Sequence, residues 1–240
     1  MSSLGKIDRA DYAIFSDPGA ELPRTYEILE LLKRWQKENS GIPIVVVRKN
    51  LYKDLVNFKN SSGNRWASIP AFSENSGIVR RQCTSEYKIR PIIKKIRQLR
   101  GIKKHKHLPL TDLMLGISMD EIERVKESQM SRVNYLYPLI DERINRSDCI
   151  AFIQSIGFPV PPKSSCVFCP YHSPSQWRQL KYNDKESWDK VVKVDKAIRN
   201  IAGRKLKEKL FLHPSRKPID EVPLSDQQEL FMCEEGFCGV

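Results

Sequence analysis

The chain has 240 residues, 40% of them hydrophobic and 29% charged, with a formal net charge of +12 and a pI near 9.4. That length supports one sizeable domain, or a domain with an appendage. No apolar run is long enough to cross a bilayer and the opening residues lack the apolar centre of a signal peptide, so the expectation is a cytoplasmic protein without a membrane partner, whose cysteines bind metal or do chemistry rather than form disulfides.

Tyr12-Ala13-Ile14-Phe15 reads as a short buried strand opening into the loop Ser16-Asp17-Pro18-Gly19. From Pro23 to Lys37 the residues Tyr26, Leu29, Leu32 and Trp35 recur on one face, which predicts an amphipathic helix. Ile42 to Val47 is a second strand, short and β-branched. Strand, helix and strand in succession make a βαβ unit, which implies a parallel sheet with a right-handed crossover. Asn50 to Phe58 reads as a short helix, and Lys59 to Gly77 as a long turn-rich loop anchored by Trp66, Ile69 and Phe72.

Thr84 to Arg100 is a helix whose main body starts near Pro91. Leu108 to Ile117 holds a strand, Met119 to Glu127 a charged helix, and Val133 to Leu139 a short extended run. A helix begins at Ser147-Asp148, carries Cys149 and ends at Gly157. Pro159, Pro161 and Pro162 then form a stiff bridge to a cysteine-bearing loop. Helices follow over Ser175 to Tyr182 and Lys185 to Lys209, and the tail from Phe211 is irregular and ends on Cys233 and Cys238. The expected division is an α/β, nucleotide-binding-like part over 1–145 and a helical, cysteine-bearing region over 146–240.

The densest chemical signal is Cys166-Val167-Phe168-Cys169-Pro170. A Cys-x-x-Cys in a turn lets both sulfurs face one metal, and the proline stiffens the exit from the loop because it has no backbone donor. An iron–sulfur or zinc site is the leading reading; a redox dithiol and two inert buried thiols are its rivals. A tetrathiolate site needs four sulfurs. Cys149 stands just before the proline bridge that could return it to the loop; against this, it is a plain buried helix residue. Cys83 follows Arg80 and Arg81, whose charge favours a thiolate. His172, next to the loop, is a ligand or proton carrier, with a packing role weighed ahead of both.

Arg80, Arg81, Lys88 and Arg90 are candidates for holding phosphate, Arg with a planar fork and Lys as a point charge, and Arg124 comes next. Asp17 stands at the carboxyl end of a strand, where open α/β sheets bind ligands. It is placed to orient a nucleotide or Mg²⁺, or to cap a helix. The basic clusters Lys94 to Lys106 and Lys205 to Lys209 suit a phosphate-bearing partner or, equally, a solvated face. No base-reading module is present.

Four stretches in this order together resemble the phosphoadenosine phosphosulfate (PAPS) reductase family of the adenine nucleotide alpha-hydrolase (PP-loop ATP pyrophosphatase) superfamily. In Ile14 to Leu32, Asp17, Gly19, Glu21, Pro23 and Tyr26 match that family's strand-loop-helix segment, with Pro18 in place of Thr. Arg80 to Ile92 is similar to its cysteine-bearing segment ahead of a helix. In Gly116 to Arg124, Gly116, Ile117, Glu121 and Arg124 match a loop in which Ser118 replaces Arg. The fourth stretch is the Cys-x-x-Cys-Pro loop with Trp177 downstream.

The resemblance implies an N-terminally shortened alpha-hydrolase-like fold, with a parallel sheet flanked by helices. It implies an adenine nucleotide, ATP or PAPS-like, at Asp17, Gly19, Arg81, Lys88, Gly116 and Arg124. It points to Cys83 with Cys166 and Cys169 as ligands of a [4Fe-4S] cluster, zinc being the alternative; Cys149 is our choice for the fourth ligand. Cys238 and Cys233 resemble a catalytic tail. The implied function is nucleotide-dependent sulfur transfer or sulfonucleotide reduction, with a sulfonucleotide or a base of tRNA or DNA as acceptor.

The superfamily's glycine-rich phosphate loop has no counterpart here, and the eleven residues before Tyr12 are too few to hold it. A truncated sequence, a partner protein that supplies the loop, or lost activity would each account for this. The alternative is a non-catalytic nucleic-acid-binding or partner subunit of a modification or defence complex.

Overall fold

The computed structural model describes residues 1–103, 105–200 and 208–224. In chain order its elements are a 3-10 turn (Ser2–Leu4), β1 (Ala13–Asp17), α1 (Pro23–Glu38), β2 (Ile44–Arg48), α2 (Leu51–Val56), β3 (Phe72–Ser73), a π-helix (Thr84–Ile89) running into α3 (Arg90–Leu99), β4 (Thr111–Met114), a 3-10 helix (Met119–Arg124), β5 (Val133–Leu136), α4 (Pro138–Asp141), α5 (Arg146–Ser155), α6 (Pro174–Asn183), α7 (Lys185–Arg199), β6 (Leu210–Phe211) and a 3-10 turn (Ile219–Glu221). The class is mixed α/β. Among the described residues the strands form three separate pairs rather than one extended sheet.

β1 and β2 run in the same direction: Ala13 N–H donates to Pro43 O at one end, and Lys49 N–H donates to Asp17 O at the other. β4 and β5 are parallel, with Thr111 opposite Val133 and Met114 opposite Leu136. β3 and β6 are antiparallel. Helix starts follow local chemistry. Asn145 and Ser173 each close a capping box, at α5 and α6, satisfying backbone donors that the first turn leaves open. Pro174 occupies the first turn of α6, where a missing N–H costs nothing.

Two compact units divide the chain, and each draws on both sides of position 145. The first comprises Met1–Phe15, Arg24–Val45 and Ile93–Lys163. Its buried apolar residues include Ile28, Leu29, Ile42, Ile96, Leu108 and Val133. The second comprises Ser16–Pro23, Val46–Ile92 and the described residues from Ser164 onward. It holds the large core, built on Leu51, Leu55, Tyr87, Phe168, Trp177 and Val191 with their neighbours. Within it α7 packs against α2, α6, β6 and the 219–221 turn. Asp195 of α7, fully buried, accepts backbone N–H groups from Leu212 (3.0 Å) and Ile219 (3.1 Å) and pairs with Arg199. The carboxylate thereby fastens the segment after β6 to the helix.

Three local expectations change. The charged helix expected over Met119 to Glu127 is a 3-10 helix ending at Arg124, because Glu121 leaves helical geometry (φ −120°) and Asp120 is committed to the backbone N–H of Arg146. Phe211, expected to open an irregular tail, lies in β6 and pairs with Phe72; a two-residue strand carries no readable period. The helix expected from Lys185 to Lys209 ends at Arg199, with Asn200 as its C-cap; Glu208 and Lys209 are not helical, and 201–207 lie outside the described residues.

Candidate functional site

The site is built around one strand exit in the second unit. β1 ends at Asp17, whose Oδ1 accepts the Gly19 N–H at 2.7 Å. Arg48 lies 3.6 Å from the other carboxylate oxygen. The turn needs glycine: Gly19 has φ +77°, and a Cβ there would stand 2.8 Å from the Lys49 carbonyl. Asp17 therefore shapes the turn at the carboxyl end of a parallel strand.

The chain then leads the cysteine loop alongside. Glu21 forms an antiparallel bridge with Cys166, and Val167 N–H donates to Ala20 O at 2.8 Å. Cys169 N–H donates to Cys166 O (2.9 Å), closing the Cys-x-x-Cys turn, and His172 N–H donates to Cys169 O (3.1 Å). His172 Nε2 lies 3.0 Å from the Cys166 carbonyl. A carbonyl only accepts, so this nitrogen carries the proton. The imidazole also meets Trp177 edge-on, with ring centroids 4.8 Å apart. His172 thus braces the loop's backbone, and Trp177 belongs to the core.

Glu21 has a side chain 0% exposed to solvent. Its Oε1 accepts from Lys88 Nζ at 3.0 Å, and its Oε2 from Ser164 Oγ at 2.9 Å. Lys88 lies in the π-helix that starts after Cys83. A π turn carries one residue more than an α turn and often marks a functional position. Cys83 N–H donates to Ser68 O at 3.1 Å.

These groups feel one another's charge. Burial raises the Cys166 thiol well above the ordinary thiol range; Glu21, Cys169 and Cys83 add to the rise, and Lys88 opposes it. Burial also raises Cys83, against the pull of Arg81, Thr84 and Lys88. The expectation that neighbouring arginine charge makes Cys83 a thiolate is therefore corrected: desolvation outweighs it. For Lys88, burial lowers the ammonium, but Glu21, Cys166 and Cys83 outweigh that and raise it overall. Burial raises the Tyr171 phenol, with Cys169 and Cys83 adding and Arg81 opposing.

Cys83, Cys166, Cys169, Lys88 and Arg81 thus share one neighbourhood, with Asp17 and Gly19 in the same unit. Cys149, Gly116 and Arg124 belong to the first unit. Cys149 sits on α5; burial raises its thiol first, then Asp148 and Asp120. Arg124 pairs with Glu121 at 2.5 Å on the surface. Cys233 and Cys238 lie outside the described residues. Glu21 and Ser164 went unremarked as site-builders. The available signal was a carboxylate set between Ala20 and Leu22, a place where an acid is buried only with a partner.

Three thiols in one neighbourhood suit a thiolate-bound group chemically, and among the described residues the buried Ser165 hydroxyl beside Cys166 has no hydrogen-bond partner. Among the described residues, however, no three His, Cys, Asp or Glu side chains stand close enough to hold a metal ion. The thiols as placed form a neighbourhood, not a coordination shell. Comparison of the chain with protein-family models, curated proteins and solved structures finds no match in any of the three.

Proposed function

We propose that the chain is a PAPS reductase-like protein of shortened alpha-hydrolase type that handles sulfur in a nucleotide-dependent reaction, by sulfur transfer or sulfonucleotide reduction. The observation that carries this reading is the meeting of Cys83, Cys166 and Cys169 with the Glu21–Lys88 pair beside the carboxyl end of a parallel strand. Ligands of open α/β sheets bind at such strand ends. Lys88 stays cationic because Glu21 neutralises the cost of its partial burial. With the exposed Arg81, it favours an anionic sulfur or phosphorus oxoacid at the thiols. Cys83 and Cys166 are held as thiols by burial, so either needs a cation, a metal or a base to act as a thiolate.

A [4Fe-4S] cluster is the proposed cofactor and zinc its structural alternative, held by Cys83, Cys166 and Cys169, with a fourth ligand that the iron content of cysteine variants identifies. When bound, a cluster supplies redox-active iron and sulfide tuned by its surroundings, whereas zinc supplies a closed structural tie.

Anaerobic purification tests the reading. Near-equal iron and sulfide with broad visible absorbance, lost in Cys166→Ser and Cys83→Ser, is the expected result. Cys149→Ser, Cys233→Ser and Cys238→Ser, compared for iron content, identify the fourth ligand. Stoichiometric zinc in a colourless protein supports the structural alternative. Metal-free protein with an intact fold overturns the metal-site proposal. Nucleotide binding, measured with and without candidate partner chains, tests the nucleotide dependence separately.

A further inference from the structure

Between Glu86 and Asp112 the sequence has no carboxylate and nine lysines and arginines. Most of this stretch, from Ile93 onward, lies in the first unit. There α3 buries Ile96 and leaves Lys94 exposed. After the helix, Gly101 (φ +65°) turns the chain, and Lys103, His105, Lys106 and His107 are all exposed.

The sequence between Glu86 and Asp112 offers these cations no local acid, whereas Lys33, Lys185, Lys190 and Lys209 each stand beside one, Glu30, Asp189, Glu186 and Glu74 in turn. Among the described residues Lys94, Lys95, Lys103 and Lys106 have no such partner. The two arginines at the end of the helix serve the loop's backbone instead. Arg97 donates to the carbonyls of Lys103 (2.8 Å) and Lys106. Arg100 donates to the Leu110 carbonyl (3.1 Å) and to Thr111 Oγ1 (2.8 Å). These bonds fasten the residues after the helix to α3, and Lys94, Lys103 and Lys106 stand exposed on that frame.

We infer that α3 together with Lys103 and Lys106 after it forms a docking surface for the phosphodiester backbone of duplex DNA, with Lys94, Lys103 and Lys106 as the principal phosphate contacts. The matching ligand is a dense linear polyanion, and duplex DNA carries one charge per about 1.7 Å of its axis. The contacts are to backbone alone and carry no sequence information. This inference goes beyond the sulfur-handling reading and rests on other residues, so either stands if the other fails.

The test uses the full chain and two fluorescent probes, a 20-base-pair duplex DNA and a folded tRNA, titrated by anisotropy between 50 and 200 mM KCl. The comparison is with the triple variant Lys94→Gln, Lys103→Gln, Lys106→Gln. Each lost phosphate contact lowers the slope of log affinity against log salt by about 0.9 on duplex DNA. Three contacts therefore lower it by about 2.7, which over a fourfold salt range makes the natural chain lose affinity roughly 40-fold more than the variant. The single-strand coefficient, about 0.7 per contact, gives a change of about 2 and a lower bound for the tRNA arm. Tighter binding of the duplex is the expected result, and tighter binding of the tRNA overturns the assignment to DNA. A control variant at two acid-paired lysines, Lys33→Gln with Lys190→Gln, keeps the full slope.

Failure of both probes to bind at 50 mM KCl overturns the inference, as does an unchanged slope in the triple variant. Displacement of both probes by polyglutamate at equal charge also overturns it, because the surface would then serve an acidic polypeptide.

Discussion

Replacing Lys88 with Met strips Glu21 of the ammonium 3.0 Å from its Oε1. The carboxylate left behind has no solvent exposure and keeps the hydroxyl of Ser164. Removing one partner of a fully buried ion pair costs about 3–5 kcal/mol, because the remaining charge is stranded away from water. Lys88 is 37% exposed, so solvent already screens its side of the pair, and the expected loss falls to roughly 2–3 kcal/mol. Urea unfolding at pH 7 reads this as a lower midpoint with an unchanged m value. Glu21→Gln removes the charge that needs compensation. In the Lys88→Met background it recovers at least half of the loss, and the double-mutant cycle shows a coupling of about 1 kcal/mol or more.

The pH dependence has a definite sign. The folded-state pKa of Lys88 is raised above its ordinary 10.5. The stability it contributes is therefore complete below that value and is lost only as pH rises through the raised one. The deficit of Lys88→Met is accordingly the same at pH 7 and pH 9. A deficit under about 0.5 kcal/mol, or strictly additive single variants, would refute the claim that a buried carboxylate depends on Lys88.

Gly19→Ala forces a side chain into a left-handed backbone at φ +77° and brings its Cβ within 2.8 Å of the Lys49 carbonyl. Thermal or urea unfolding is expected to show a loss of roughly 2–3 kcal/mol, and wild-type stability would mean that the turn relaxes freely. His213 is buried, accepts the Ser215 N–H on Nδ1 at 3.2 Å, and has its pKa pushed by burial from 6.5 down to about 4. Its stabilising contribution is complete above pH 6.5 and lost as pH falls toward 4, up to roughly 2–3 kcal/mol; His213→Asn, which keeps an acceptor but cannot be protonated, flattens midpoint-against-pH curves over that window. Iodoacetamide at pH 8, followed by peptide mass spectrometry of metal-free protein, is expected to modify Cys166 at least about tenfold more slowly than a free thiol, because little thiolate is present. Equal rates would contradict the burial argument.

Much of the local structure was legible because it is written in short-range periodicity. Tyr26, Leu29, Leu32 and Trp35 share one helical face, and α1 covers Pro23–Glu38. The β-branched run at Ile44 to Val47 lies in β2. Gly157, with φ +73°, lies just past the end of α5. The π-helix at Thr84–Ile89 was not legible, since its extra residue leaves no mark that separates it from an α-helical pattern. β3 and β6 were not legible either: strands of two residues exist because their partners lie far away in the chain.

For the candidate site, turn spacing picked out Cys166 and Cys169 and residue type made Lys88 a candidate for phosphate, while the family resemblance set Cys83 beside the two thiols. What the string could not hold is which of them meet. The bridge of Glu21 to Cys166 and the burial of the Glu21 carboxylate against Lys88 depend on the chain folding back over long separations. The same is true of the sign of the shift at Cys83, where desolvation overrides the neighbouring arginine charge. Charge is a property of residue type and could be read in advance. Burial is a property of packing, and in this protein burial decides how those charges and thiols behave.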